Sequence, residues 1–256
     1  MSSKKRKAPQ WCSAPLLWSL AGVITFLAVW EIGARMSGSN LIFPGPVLVI
    51  RQFIALAPTG GFLRALGGSF LRVIAGILFS VPLGITVGIL AGLDKRINAF
   101  LAPFFAVVAA TPVMSVILIA FLIFGSERTP VFTAFLMVFP VMAANTIAGV
   151  RAVDPKLKEL FALYRISREE TVRRLHIPTI MPFILGGLRS SLSLCWKVVV
   201  ASEVLVQPLL ALGTGMQRAK AQLETPELFA WTLATVIAAA LTEWGASLVL
   251  RSGKKR

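Results

Sequence analysis

Long apolar runs separated by short polar stretches dominate this chain. Runs of about 20 mostly apolar residues, each enough for a helix to cross about 30 Å of hydrocarbon, occupy residues 16–35, 69–92, 100–124, 130–151, 183–206 and 228–250. The pattern predicts an all-α integral membrane protein with six transmembrane helices. The first run follows a basic KKRK stretch, as a secretory leader would. It is too long for a leader's apolar region, and no small-x-small cleavage site precedes Glu31 and Arg35, so it reads as a span.

Features within and between the runs add detail. Pro44, Gly45 and Pro46 force a turn after the first span, and VLVIRQFIAL beyond them fits a short interfacial helix that covers a mouth or merely connects spans. In the second span Gly76, Ser80, Gly84, Gly88 and Gly92 recur every four residues, a face that lets helix backbones approach closely in lipid. Pro103 and Pro112 interrupt the third span. The carbonyls they free are tolerated where protein or a wet cavity satisfies them, so Thr111 and Ser115 beside Pro112 are candidates to line a translocation path, the alternative being a structural kink. Asn145 and Thr146 near the end of the fourth span face either a cavity or a neighbouring helix.

The densest charge lies in VDPKLKELFALYRISREETVRRLHIPTIMP, residues 153–182. Asp154 is a plausible N-cap with Pro155 at the first helical position. Leu157, Leu160, Phe161 and Tyr164 then form one apolar stripe, with Lys156, Lys158 and Glu159 largely off it. Ser167 followed by Glu170 is a capping box and starts a second helix, with Val172 and Leu175 inward, Arg168, Arg173 and Arg174 outward, and an end before Pro178. A helix-turn-helix DNA reader clamped between two spans could not readily enter a major groove. A loop that only sets topology needs neither two start signals nor an apolar stripe. A docking element for a soluble partner explains both.

Composition narrows the class. With 56% hydrophobic residues, 14% charged residues and a mean hydropathy of +0.80, a water-soluble domain is excluded. The net charge of +15 has a topological use: with the N-terminus inside, most lysines and arginines, including Lys4, Lys5, Arg6, Lys7, the cluster from Arg151 to Arg174, and Lys254 to Arg256, fall on the cytoplasmic side. The positive-inside rule puts both termini there. Cys12 and Cys195 make no disulfide or metal framework, and the single histidine, His176, excludes multi-histidine metal sites. Gly213-x-Gly215 is a very weak nucleotide signal. No catalytic set is expected, and no G-x-x-x-x-G-K-[ST] phosphate loop occurs.

Charges inside spans are costly and default to functional hypotheses. Glu31 sits near a span end and reaches water. Lys197 and Glu203 are six residues apart, on different faces of one helix, so they do not pair with each other. Lys197 either binds an anionic solute or snorkels to the cytoplasmic interface. Glu203 either lines the path or anchors a helix contact. Glu243 snorkels or pairs, and Trp196 reads as helix packing.

The spacing in 153–182 resembles the EAA loop of ABC importer permeases, whose pattern is Glu-Ala-Ala, three residues, Gly, nine residues, Ile, one residue, Leu-Pro. Glu159, Leu160, Phe161, Arg165, Leu175, Ile177 and Pro178 stand at those positions, with both alanines and the glycine replaced. Arginine at the glycine position either adds a partner contact or marks a differently shaped turn. The likeness extends over about residues 41–250 and is similar to the nitrate, sulfonate and taurine group in FPGP, GGSFLRVIAG, FGSERTPVFTAFLMVFPVMAANTIAGVR, PFILGGLRSSLSLCWKVVVASEVL and ALGTGMQRAK. The resemblance implies a type I ABC importer permease fold, one transmembrane domain over 1–256 with a cytoplasmic basic tail at 1–15 and a cytoplasmic coupling loop at 153–182. It implies ATPase-coupling roles for Leu157, Glu159, Leu160, Phe161, Tyr164, Arg165, Ser167, Arg168 and Pro178, and a path near Thr111, Ser115, Asn145, Lys197 and Glu203, where the family usually has an acid at the last position. It further implies a homodimer in a prokaryotic inner or plasma membrane, served by a cytoplasmic ATPase dimer that holds ATP and Mg and by an extracytoplasmic solute-binding protein, with lipid but no nucleic acid as further partners. The chain itself carries no cofactor and is not an enzyme. The cargo implied is a small polar solute, nitrate-, sulfonate- or taurine-like or a pyrimidine vitamin precursor. The rival reading is an ion-coupled secondary transporter, which would show an inverted repeat and paired intramembrane acids and bases.

Overall fold

The computed structural model describes residues 14–253 and is helical throughout the elements it contains. Cys12, most of the basic tail at 1–15, and Lys254 to Arg256 lie outside the described residues. In chain order the helices are α1 Ala14–Met36, α2 Pro46–Leu56, α3 Gly60–Leu93, α4 Lys95–Ala110, α5 Val113–Arg151, α6 Pro155–Leu163, α7 Arg168–Thr171, α8 Ile177–Val206, α9 Leu212–Ala221 and α10 Thr225–Gly253, with a π turn over Val172–His176. α2 is the short helix expected after the Pro-Gly-Pro turn, with Pro46 at its start.

The repeated small residues of α3 set the central contact. A Cβ on Gly84 would lie 2.7 Å from that of Met142, one on Gly88 2.5 Å from that of Thr146, and one on Gly92 2.6 Å from that of Val150. Both numberings rise together, so α3 and the second half of α5 run parallel, backbone against side chain. In lipid, helix pairs gain stability from van der Waals packing and not from water exclusion, which is why an unbroken small face matters. The hydroxyls in the seam bond carbonyls of their own helix, Ser80 to Gly76 at 2.7 Å and Thr146 to Met142 at 2.9 Å. Gly88→Ala is expected to cost about 1–3 kcal/mol through overpacking, read as a lower thermal midpoint in detergent. Gly22→Ala, where a Cβ meets nothing within 4 Å, should leave the midpoint unchanged or higher.

α8 runs antiparallel to the same half of α5: Gly149 meets Phe183, and Gly187 meets Asn145 and Met142. Val73, Ala134, Val138, Cys195, Trp196 and Val199 fill the space between α3, α5 and α8. Trp196 is 1% exposed and packs near Phe70, so it is a core residue. α1 stands apart, its Trp18, Ile24 and Phe26 exposed as lipid-facing residues are. It is tied to α10 and the Pro-Gly-Pro turn by Trp30, Phe43 and Phe229 and by the Trp30 Nε1 bond to the Pro44 carbonyl at 3.0 Å.

Among the described residues five helices are long and apolar enough to cross a membrane, against the six expected. The difference lies in the run at 100–124. It is divided by Thr111 and Pro112 between α4 and the start of α5, and α5 is broken again at Gly125, whose φ of 71° and ψ of 178° are non-helical. Eight residues of straight helix rise about 12 Å, yet the Phe124 and Phe132 rings are 4.6 Å apart, so the chain folds back there. Since α3 and residues 126–151 are parallel, the chain between them must return across the bundle. α4 and residues 113–124 make that sixth crossing in two pieces.

Candidate functional site

The segment after α5 folds as two capped helices. Asp154 Oδ1 accepts the Lys156 N–H at 2.8 Å, with Pro155 at the start of α6. Ser167 Oγ accepts the Glu170 N–H at 3.2 Å to open α7. The Glu170 carboxylate turns to Arg174, at 2.7 Å, instead of back to Ser167. Between the helices, the Arg165 N–H bonds the Ala162 carbonyl at 3.0 Å and the Ile166 N–H bonds the Phe161 carbonyl at 3.1 Å, the pair of bonds of a Schellman motif. Its left-handed residue is Arg165, with φ of 52°. The tight turn that a glycine makes without strain is therefore kept, at a cost to arginine of about 1–2 kcal/mol.

Two local expectations change. The second helix does not end before Pro178: Arg168–Val206 is one continuous 39-residue rod. Proline lacks the N–H of an α-helical bond, but the π turn over Val172–His176, closed by the Ile177 N–H on the Val172 carbonyl, carries the backbone past it. The extra residue rotates the face, so Leu175 is buried while Val172 is 49% exposed and not inward. No residue of α6 is buried. Leu157, Leu160 and Tyr164 are exposed, Phe161 is half-buried, and Glu159, Arg165, Ser167, Arg168 and Pro178 all face outward.

The opposite end of the bundle carries a polar cluster. Glu203 of α8 is fully buried, accepting from Ser69 Oγ at 2.7 and 2.9 Å, Arg72 Nη1 at 3.2 Å and the Gly213 N–H at 3.2 Å. Arg72 also donates to the Leu210 carbonyl at 2.7 Å and to Glu127 Oε2 at 2.6 Å. Glu127 Oε1 accepts the Leu209 N–H at 2.9 Å, and Ser69 Oγ the Leu212 N–H at 2.9 Å. α3, α5, α8 and the loop before α9 are thus tied at one point. Gly213 is required there, because a Cβ would lie 2.5 Å from that of Glu203.

The five candidate path residues do not converge. Glu203 is sealed, which is the anchoring geometry of its two readings. Asn145 bonds the Val141 carbonyl at 2.8 Å and packs against Gly187, a helix contact. Thr111 bonds the Val107 carbonyl at 2.7 Å and ends α4, and Ser115 is exposed one turn later. Lys197 is exposed, and snorkelling to the end that carries 153–182 is excluded by reach. It lies 14 residues, about 21 Å, above the start of the apolar run at residue 183, far beyond a four-carbon stem.

The model of the binding-protein-dependent transport system inner membrane component family matches residues 80–252. The chain belongs to that family. Among its curated relatives, the bicarbonate transport system permease protein CmpB of Synechococcus elongatus is 28% identical over 211 residues, 77% of this chain and 75% of that protein. The nitrate import permease protein NrtB of the same organism is 26% identical over 191 residues, 70% and 68% of the two chains. A chain from the crystal structure of an amino acid ABC transporter with histidines shares the fold, with a TM-score of 0.54 and 19% identity, covering 81% of this chain and 94% of that one.

As an ABC importer permease of the nitrate and sulfonate group, the chain carries an exposed two-helix segment at one end and a buried polar knot at the other. The sequence marks both helix starts of the first and one residue of the second. It singles out Glu203 but misses Ser69, Arg72 and Glu127. Glu127 stands in the polar stretch between two runs and Arg72 only three residues inside the run at 69–92, where a charge can reach the interface, and only the tertiary fold brings them together.

Proposed function

We propose that this permease subunit moves a small inorganic or organic anion inward, as half of a homodimer, and that α6 and α7 form the coupling element seated on a cytoplasmic ATPase dimer. ATP and Mg belong to that partner. The observation that carries this reading is the α6 stripe: Leu157, Leu160 and Tyr164 stay exposed beside the half-buried Phe161 on a helix with no fully buried residue, although the helix is capped at both ends. Rigid exposed apolar and aromatic side chains ringed by charge have the make-up of a binding hot spot. The relatives named for bicarbonate and nitrate both carry anions, which supports that cargo class. With α6 in the cytoplasm, the Glu203 cluster faces an extracytoplasmic solute-binding protein, and both termini lie inside a prokaryotic inner or plasma membrane. An ion-coupled carrier is disfavoured because Glu203, the acid such a carrier would need to load and unload, has no path to water.

The test is reconstitution of the permease with its ATPase and its binding protein in lipid vesicles, with nitrate, bicarbonate and alkanesulfonates offered in turn. The expected result is ATP hydrolysis stimulated by the loaded binding protein, together with anion uptake. Uptake of equal rate in vesicles that lack the ATPase would overturn the reading.

A further inference from the structure

α8 buries one side and leaves the other uncovered. Leu192, Cys195, Trp196, Val199, Ser202 and Glu203 are buried, whereas Gly186, Ser190 and Lys197 are exposed and Ser193 and Ala201 half-buried. At about 100° per residue, Gly186, Ser190, Ser193 and Ala201 all fall within about 40° of Lys197. The uncovered side carries these small and hydroxyl-bearing residues with Lys197 among them, and the exposed Arg189, one turn below Ser193 and about 40° from it, is a second cation at its edge.

Neither cation has an ion pair among the described residues. The ion pairs among the described residues are Glu31 with Arg35, Glu127 and Glu203 with Arg72, and Glu170 with Arg174. None involves Lys197. Its depth is about 14 Å below Val206, nine residues along the helix, whereas Glu243 lies about 27 Å below the same end, 18 residues into α10. A second copy related by an axis along the membrane normal would keep those depths, so its Glu243 could not meet Lys197 either. A lysine facing hydrocarbon at mid-helix costs about 3 kcal/mol or more. That cost is avoided where the stripe faces water.

We infer that this stripe is a transit site for one small oxyanion, with Lys197 as its outer and Arg189 as its inner counter-charge and the Ser193 and Ser190 hydroxyls, one and two turns below Lys197, as successive hydrogen-bond donors. Gly186 and Ala201 leave room at the two ends. A compact ammonium with rotatable donors at the outer end suits an ion that must be released again, since conduction needs a site strong enough to enter and weak enough to leave. The site rests on the importer reading above and gives it a point of contact with the cargo that the sealed Glu203 cannot supply.

The test uses the assembled complex in lipid vesicles, with Ser193→Cys in a Cys12→Ser background; Cys195 is buried and serves as the silent control in the parent. An anionic methanethiosulfonate reagent is expected to modify residue 193 roughly tenfold faster than a cationic one. Lys197→Gln should lower that preference, Lys197→Gln combined with Arg189→Gln should erase it, and Lys197→Arg should keep it. With nitrate as the transported probe, Lys197→Gln should raise the apparent KM while ATP hydrolysis stimulated by the binding protein persists. No modification by either reagent, or a preference unchanged in Lys197→Gln, would overturn the site. Loss of ATPase stimulation in the unmutated complex would count against the proposed function instead, and the modification ratio would still decide the site.

Discussion

Phe161→Asp and Glu159→Lys are each expected to lower ATP-driven uptake at least tenfold while leaving the permease folded and inserted. The fold side of this follows from α6: none of its residues is buried, and surface substitutions away from caps and cores change stability by about 0.5 kcal/mol or less. The functional side follows from the stripe. Truncating an aromatic anchor at the centre of an interface costs about 2 kcal/mol or more, which is more than a tenfold loss of affinity, and a carboxylate in its place adds an unpaired charge. Glu159 is exposed and outside every ion pair among the described residues, so reversing its charge removes no internal bond. The measurement pairs uptake and stimulated ATP hydrolysis in vesicles with the thermal midpoint of the purified chain. Full coupling in both variants would refute the docking role. A midpoint that falls with the activity would assign α6 to the fold.

Glu203→Ala is expected to act through stability. Loss of the carboxylate leaves Arg72 paired with Glu127 but takes the acceptor from the buried Ser69 hydroxyl and the Gly213 N–H, at about 1–3 kcal/mol for each buried group left unsatisfied. Arg72→Ala should be at least as severe, since it strands the fully buried Glu203 and frees the Leu210 carbonyl. Membrane level and uptake should therefore fall in step, with a lowered thermal midpoint for whatever protein can be purified. Glu203→Gln, which keeps the shape and can still accept from Ser69 and Gly213, should retain more protein than Glu203→Ala. Normal membrane levels with uptake lost in Glu203→Ala would return this residue to the translocation path.

The parts legible in the sequence are those that local chemistry dictates. Span lengths follow from the bilayer, the α3 seam from a small residue every fourth position, and the start of α6 from Asp154 and Pro155. What escaped the sequence depends on residues far apart or on backbone details of low prior. Arg72 meets acids 55 and 131 positions away, and no pattern in either stretch points to the other. The reversal at Gly125 falls in the polar break between the runs 100–124 and 130–151 that the sequence marks, but its positive φ, which folds Phe124 against Phe132, has no sequence signal beyond the glycine itself. Pro178 is an ordinary stop signal for an α-helix, but a π turn is one register in which a proline does not stop the chain. The same turn moved Val172 off the face that a uniform period assigns to it. The candidate coupling segment was thus readable almost whole, while the path residues were not, because span polarity alone does not separate a sealed side chain such as Glu203 from an open one such as Lys197.

The continuity of Arg168–Val206 has a mechanical consequence. At about 1.5 Å per residue its 39 residues make a shaft about 58 Å long, with α7 at one tip and Glu203 three residues from the other. The joint with α6 is a short turn, but from α7 onward no loop intervenes to absorb displacement. A tilt imposed on α7 is therefore delivered as a stroke at the Glu203 knot, where α3, α5 and the loop before α9 are fastened to the same lever.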